Sequence, residues 1–341
     1  MMNLRTGLRI ISISTILISS LLCGISGNDI NYMMVGDVNL GGLFPLHTYN
    51  ETAASCGTIR SLSSIKRVEA MVYAIGRVNE DPTILPDITV GFEIYDTCSH
   101  DATTLHRCLN FIPPIRETPN VPNCTTADEA AGARQPGNRS PIVGVVGAQR
   151  SSSSLQAALL LSRYHIPQVS YLSTSDELSN DRRYPYFLRT VGPDRFQVRA
   201  MIDILLHFNW SYVSFIHSDD TYGNSAEQMF TTLASNYSIC VGLTRKVSSF
   251  DSEDKYDSII TELLDIQRLG THHAHATVVV LFVHLEMAQS IFSASTRLKG
   301  ARRFIWIGSD SWGNYGEEAT SGNEEAALGK AKRQHISQAL P

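Results

Sequence analysis

The sequence predicts an α/β doubly wound architecture, and three observations carry that prediction. From Pro141 onward, apolar runs of strand length alternate with amphipathic runs of helix length, the pattern of parallel strands joined by crossover helices. Val278 to Val283 is apolar without alternation, as a strand covered on both faces requires. Polar residues gather where strands should end: Ser218, Asp219, Asp220 and Tyr222 after one, Ser309, Asp310 and Trp312 after another. Open α/β sheets bind ligands at such carboxyl ends.

The chain has 341 residues, 43% of them hydrophobic, which is long enough for two domains with their own cores. A formal net charge of −5 offers no basic field to a nucleic acid, and no motif suggests one. Arg5 and Arg9 lead into the apolar run Ile10 to Cys23, followed by Gly24, Ser26 and Gly27, the layout of a cleaved signal peptide over 1–27. A lumenal route agrees with the five N-x-S/T sequons at Asn50, Asn123, Asn138, Asn209 and Asn236. Beyond Cys23, five cysteines remain (Cys56, Cys98, Cys108, Cys124 and Cys240), an odd number that in an oxidising compartment leaves at least one thiol to pair outside this chain. None has C-x-x-C spacing, so neither a metal site nor a redox pair is expected.

In order, the first strand is Val38 to Phe44, whose Gly41 and Gly42 permit close backbone approach before Pro45 opens a polar loop. Ile65, Val68, Val72, Ile75 and Val78 recur at helical spacing and predict a helix over 64–79, with Lys66 and Arg67 in its first turn. A strand over 88–95 and a short helix over 102–111 follow. Residues 113–140 are rich in Pro, Gly, Asn and charge without periodicity, a long surface loop. Later strands are expected over 184–191, 211–217, 238–243, 276–283 and 304–309. Helices between them run over 194–208, 222–234, 252–269 and 286–298.

The stretch 141–175 organises the rest: a strand over 141–147, a serine turn from Ser151 to Ser154, a helix over 155–164, and a strand over 167–172 ending in Ser173, Thr174 and Ser175. Serines opening a helix, next to the end of a neighbouring parallel strand, form a rim suited to a carboxylate, because hydroxyls and amides converge where the helix dipole is positive. The same serines also read as ordinary helix caps.

Seven segments then resemble one family in order and spacing: Arg67-Val-Glu-Ala-Met71, Ile166-Pro-Gln168 leading to Ser173-Thr174-Ser175, Tyr186-Phe-Leu-Arg189, Gln197-Val-Arg-Ala-Met201, Asn209-Trp-Ser-Tyr-Val213, Tyr222-Gly223 and Gly308-Ser-Asp-Ser-Trp312. Together they resemble the ligand-binding domain of class C G-protein-coupled receptors, the metabotropic glutamate receptors above all. The resemblance implies a two-lobed, periplasmic-binding-protein-like Venus flytrap, with lobe 1 over 28–189, lobe 2 over 190–325 and a divergent tail over 326–341. It also implies that the C-terminal part of lobe 1 is missing and that the chain is a receptor fragment without its transmembrane domain.

By the same resemblance, Ser151 and Thr174 hold the α-carboxylate of an L-amino acid, with Ser173 beside them on the strand-end rim as a further ligand-binding candidate, and Asp194, Tyr222 and Asp310 face its ammonium. Arg67 matches the position that grips a distal carboxylate, which puts glutamate first among ligands. Ser63, Ser99 and Tyr315 depart from the family at supporting positions. Cys56 and Cys98 match a disulfide of lobe 1, Cys124 a bond between protomers, and Cys240 a bond to a domain absent here; Cys108 has no match. Leu105, Leu160 and Tyr164 resemble a homodimer patch, although core packing explains them equally well.

The function this implies is extracellular amino-acid binding that signals by cleft closure in a homodimer, through a heterotrimeric G protein in the full-length receptor. It places the chain in the secretory pathway, at the plasma membrane or, as a short product, secreted. A soluble secreted amino-acid-binding protein or decoy of the same fold is the alternative. His272, His273 and His275 read as a solvated loop, not as a metal site. No cofactor motif and no nucleophile paired to a base occurs, so no enzymatic activity is expected.

Overall fold

The chain divides into two units, Met1–Gln149 with Gln156–Val169, and Arg150–Leu155 with Ser170–Pro341. The computed structural model describes residues 31–60, 62–113, 140–269, 277–300 and 303–327. Cys124, Asn123, Asn138, the three loop histidines and the leader fall outside the described residues.

In the first unit, the strands β1 (Asn31–Met34), β2 (Val38–Phe44), β5 (Val90–Asp96), β6 (Ile142–Val146) and β7 (Gln168–Ser170) lie side by side in the order β1-β5-β2-β6-β7. β1 runs antiparallel to β5, and the other pairs are parallel. Gly41 and Gly42 sit where a Cβ would meet Phe111 at 2.7 Å and Ile94 at 2.9 Å, so the close approach expected of them is used. The polar loop expected after Pro45 is instead a hairpin, β3 (His47–Asn50) against β4 (Ser55–Ile59). β1 and this hairpin are short and lack an apolar alternation, so periodicity could not reveal them.

Helix α1 (Leu62–Glu80) starts two residues earlier than its pattern predicts, which moves Lys66 and Arg67 out of the first turn. Its buried residues are Ser64, Met71 and Ile75, while Ile65, Val68, Val72 and Val78 are half-buried. Helix α2 (Asp101–Cys108) follows β5. Buried Asp96, at the end of β5, accepts from the backbone N–H of Leu46 (2.9 Å) and Cys98 (2.9 Å) and pairs with His47 Nδ1 (2.6 Å). That carboxylate fixes the strand exits and the start of the hairpin at once.

Cys56 and Cys98 are bonded across 42 residues, Cα to Cα 5.4 Å, a crosslink that contributes about 4 kcal/mol in the chain-entropy account. Cys56, Asp96 and Cys98 converge within 4.8 Å, but the two sulfurs are committed to each other, so this is no metal centre. Cys108 is a buried thiol that burial pushes up to about 12, and Cys240 is an exposed thiol. Asn50, Asn209 and Asn236 are all exposed.

The second unit is built on the parallel sheet β10 (Cys240–Val247), β9 (Tyr212–Ser218), β11 (Val278–Phe282) and β12 (Ile305–Gly308), in that order. Alternate residues of the central strand enter opposite cores: Val279, Leu281 and Val283 join α6 (Glu253–Leu269) and α7 (Leu285–Arg297) on one face. Val278, Val280 and Phe282 join α4 (Asp194–His207) and α5 (Thr221–Asn236) on the other. A period of two with both phases apolar is why this segment shows no alternation in sequence. The unit also holds β8 (Phe187–Arg189) and the short helices α8 (Asp310–Gly313), α9 (Gly316–Thr320) and α10 (Glu324–Ala327). No helix among the described residues is long and apolar enough to cross a membrane.

Candidate functional site

Helix α3 (Ser151–Arg163) begins at the first serine of the run, so these residues are its first turn and not a turn before it. The Ser154 N–H already donates to Arg150 O at 2.9 Å, which makes Arg150 the entry residue. Serine is neutral in a first turn, where its hydroxyl can satisfy nearby backbone groups, and that is how four in succession are accommodated. Ser151 is buried, and its Oγ accepts from the Ser175 N–H at 3.1 Å, which leaves its own O–H to donate elsewhere. Ser154 Oγ lies 2.7 Å from Ser173 Oγ, so the fully buried Ser173 is a strut between the two segments.

Thr174 is presented by its neighbours. The Ser173 N–H donates to Ser170 Oγ (3.0 Å), a turn that ends β7 two residues before its apolar pattern does. Arg189 Nη1 donates to Ser173 O (3.3 Å) and Ser175 O (3.0 Å), one on each side of Thr174, and its other arm holds Ser179 Oγ. Arg189, the last residue of the Tyr186–Arg189 segment, is thereby the clamp of this loop.

Asp194 opens α4, with its N–H donating to Thr174 O at 2.8 Å. It is fully buried; Oδ1 accepts from Gln197 Nε2 at 2.5 Å, while Oδ2 is buried with no donor in hydrogen-bond geometry. Burial raises this carboxyl to about 7; the Thr174 side chain, a hydrogen-bond donor to the carboxyl, opposes the rise, the Asp310 charge adds to it, and the Gln197 bond and the Arg189 charge oppose it. Gln197 Nε2 also reaches Asp310 Oδ1 (3.2 Å), and the Asp310 N–H donates back to Gln197 Oε1 (3.2 Å). Tyr222 OH donates to the same Asp310 Oδ1 at 3.2 Å. Burial and the charges of Asp310 and Asp194 hold the Tyr222 phenol well above its usual range, so it is a neutral donor. Ser151, Ser173, Thr174, Asp194, Tyr222 and Asp310 are thus all in the second unit, and hydrogen bonds connect Thr174 through Asp194 and Gln197 to Asp310 and Tyr222.

A second layer fixes Tyr222. Asp220 caps α5, with Oδ1 accepting from the Gly223 N–H (3.0 Å) and Ser218 Oγ (2.7 Å) and Oδ2 paired with His284 Nε2 (2.7 Å). Burial alone would raise this carboxyl, but the charges of His284 and Arg150 and these bonds hold it below the usual carboxylate range. His284 Nδ1 lies 3.2 Å from Ser311 Oγ, and its ring stacks on Tyr222 at 5.2 Å. One histidine therefore joins the exits of β9, β11 and β12. At Gly223 a Cβ would stand 2.1 Å from Ser218 O, so only glycine lets α5 start this close to β9. A cavity of about 720 Å³ opens beside Asp220 and Thr221, lined also by Asp176, Glu177 and Asn224.

Arg67 belongs to the first unit, where its Nη1 donates to Gln149 Oε1 at 2.9 Å. Ser99 Oγ there accepts from Arg60 Nη1 at 3.2 Å. Sequence reasoning gave no site role to Gln197, Asp220 or His284; polar residues at strand exits flagged Asp220 and Gln197 opened one of the segments that resemble the family, but nothing in the spacing marked His284.

Residues 66–335 match the family model described as receptor family ligand binding region. The chain is 40% identical over 303 residues to the metabotropic glutamate receptor of Drosophila melanogaster, covering 89% of this chain and 30% of that protein. It is 36% identical over 281 residues to metabotropic glutamate receptor 8 of Homo sapiens and of Mus musculus, covering 82% of this chain and 30% of each. The chain therefore spans about 30% of the length of these relatives. With two α/β units, parallel sheets and this match across most of its length, the chain belongs to the receptor family ligand binding region, of the class C G-protein-coupled receptor type.

Proposed function

We propose that this chain binds an L-amino acid, glutamate first, as the extracellular ligand-binding region of a metabotropic-glutamate-type receptor. The observation that carries the reading is Asp194 Oδ2, a buried acceptor without a partner, beside Tyr222 and Asp310. Burying an unsatisfied carboxylate oxygen costs stability, and an ammonium group restores what burial removes. The Ser151 hydroxyl at a helix start and the adjoining Thr174 supply the opposite chemistry, donors for an α-carboxylate. Tyr222 adds its hydroxyl to the acidic wall. The binding event closes one lobe on the other and shifts a population between open and closed forms. It is a recognition event and not a catalytic one.

Arg67 supplies preference for an acidic side chain. Calorimetric titration with glutamate, aspartate, glycine and alanine is expected to show all four bound, glutamate most tightly. Arg67→Ala should reduce glutamate affinity about tenfold or more and leave glycine almost unchanged. Equal losses for glutamate and glycine would remove the side-chain assignment, and no binding of any of the four would remove the amino-acid reading.

Signalling in the full-length receptor proceeds through a homodimer formed by lobe 1 and coupled to a heterotrimeric G protein. Leu105, Leu109 and Leu159, on α2, the turn after it and α3, and Tyr164 just beyond α3 are exposed apolar residues, which suits a second copy of this surface, whereas Leu160 of the expected patch is half-buried against the core of the first unit. Cys124 is the thiol proposed to link the copies. A non-reducing gel should show a dimer that Cys124→Ser abolishes; a dimer that survives the substitution would assign the link elsewhere.

A further inference from the structure

Two carboxylates at one site repel, and here they come from elements far apart in the chain, Asp194 on α4 and Asp310 on α8. Like charges disfavour each other there, the Asp310 charge adding to the rise of the Asp194 carboxyl, so a donor shared by both acids offsets part of that cost. The bonds around Gln197 identify the group that does. Nε2 offers two hydrogens, and both carboxylates lie in reach of it, Asp194 Oδ1 at 2.5 Å and Asp310 Oδ1 at 3.2 Å. Oε1 accepts from the Asp310 N–H at 3.2 Å, which prevents the amide from turning over and losing both contacts. We infer that Gln197 is a positioning residue of the ammonium-binding wall, its single amide holding both acids on one donor so that Asp194 Oδ2 is left as the acceptor for the ligand.

The inference rests on the amino-acid reading, and it explains why the orphaned atom is Oδ2 and not Oδ1. The Thr174 side chain also hydrogen-bonds the Asp194 carboxyl and the Arg189 charge favours its anion, but among the bonds described above Gln197 is the group that reaches both acids, and Tyr222 from α5 is spent on Asp310. A leucine at 197 keeps the volume of the amide and removes both donors. Asp194 is then less well stabilised as an anion and holds its proton to a higher pH.

The test has two arms. In the ligand-free chain, carboxyl NMR follows the Asp194 titration in wild type, Gln197→Leu and Gln197→Met. Both variants are expected to move its midpoint upward by roughly one pH unit. In the second arm, L-glutamate is titrated between pH 5.5 and 8.5; wild-type affinity should rise with pH through about 7. For both variants that rise should shift upward by the same amount, with about tenfold weaker binding at pH 7. A weaker affinity with an unmoved midpoint in both arms would make Gln197 an ordinary packing residue and overturn the inference. A moved midpoint in the first arm with no glutamate binding by wild type would keep the clamp and reject the ligand.

Discussion

Asp194→Asn is expected to weaken amino-acid binding by about a hundredfold or more and, at the same time, to stabilise the ligand-free protein above neutral pH. Both effects follow from one buried atom. Removing one partner of a buried charge pair costs about 2–5 kcal/mol, and asparagine keeps the shape of the side chain while removing its charge. The stability effect comes from the proton. The Asp194 carboxyl stands near 3.8 ordinarily and at about 7 in the folded chain, so between those values the native state holds more protons than the unfolded state. Stability then falls as pH rises through that window, and above it the charge costs roughly 4 kcal/mol. The neutral asparagine escapes that cost. Denaturant melts of the two proteins at pH 5 and pH 8 should show their difference growing with pH, and ligand titration at pH 8 should show the lost affinity. A variant no more stable than wild type at pH 8 would mean that Asp194 finds a partner in the folded chain. A variant that binds as wild type does would take the ammonium away from this residue.

The division between what the sequence disclosed and what it did not follows the range of the forces involved. The strand Val278–Phe282 was legible because burial on both faces demands an unbroken apolar run, and the structure uses both phases of it. Helix and strand order in the second unit was legible for the same reason. The hairpin at His47–Asn50 was not, since it is held by ladder bonds, a disulfide and the Asp96 carboxylate, none of which requires an apolar period. α3 starts four residues before the position its sequence predicts, because serine propensity argues for a cap and the buried contacts of Ser151 and Ser154 outweigh it.

At the site, Ser151, Thr174, Asp194, Tyr222 and Asp310 were readable through a resemblance, since each is a residue whose chemistry faces a ligand. Their supports were harder to read. Gln197, Arg189 and His284 act by holding other residues, through contacts spanning 113, 14 to 16, and 64 residues of sequence. A glutamine three places into a helix carries no local mark of such a role.

Phe282→Ala should be the most destabilising single substitution in the second unit, at about 3–5 kcal/mol. Its ring is fully buried at the end of β11, 4.5 Å from the Tyr222 ring and 6.4 Å from Phe215. Truncation opens a cavity beneath a helix start that cannot settle into it. α5 is pinned there by the Asp220 cap, and the approach at Gly223 is already too close for one added carbon. A site that cannot collapse pays the cavity cost in addition to the lost transfer energy. The same rigidity sends the damage toward the ligand, because Tyr222 loses the ring it rests on while keeping its bond to Asp310. Chemical denaturation should therefore show a large fall in midpoint, with glutamate affinity reduced even where the variant is fully folded. Phe282→Leu, which fills more of the space, should lose less than half as much stability. If Phe282→Ala cost under about 1 kcal/mol, the face of the sheet beneath Tyr222 would not be packed as described, and the support drawn from it for the acidic wall would fall with it.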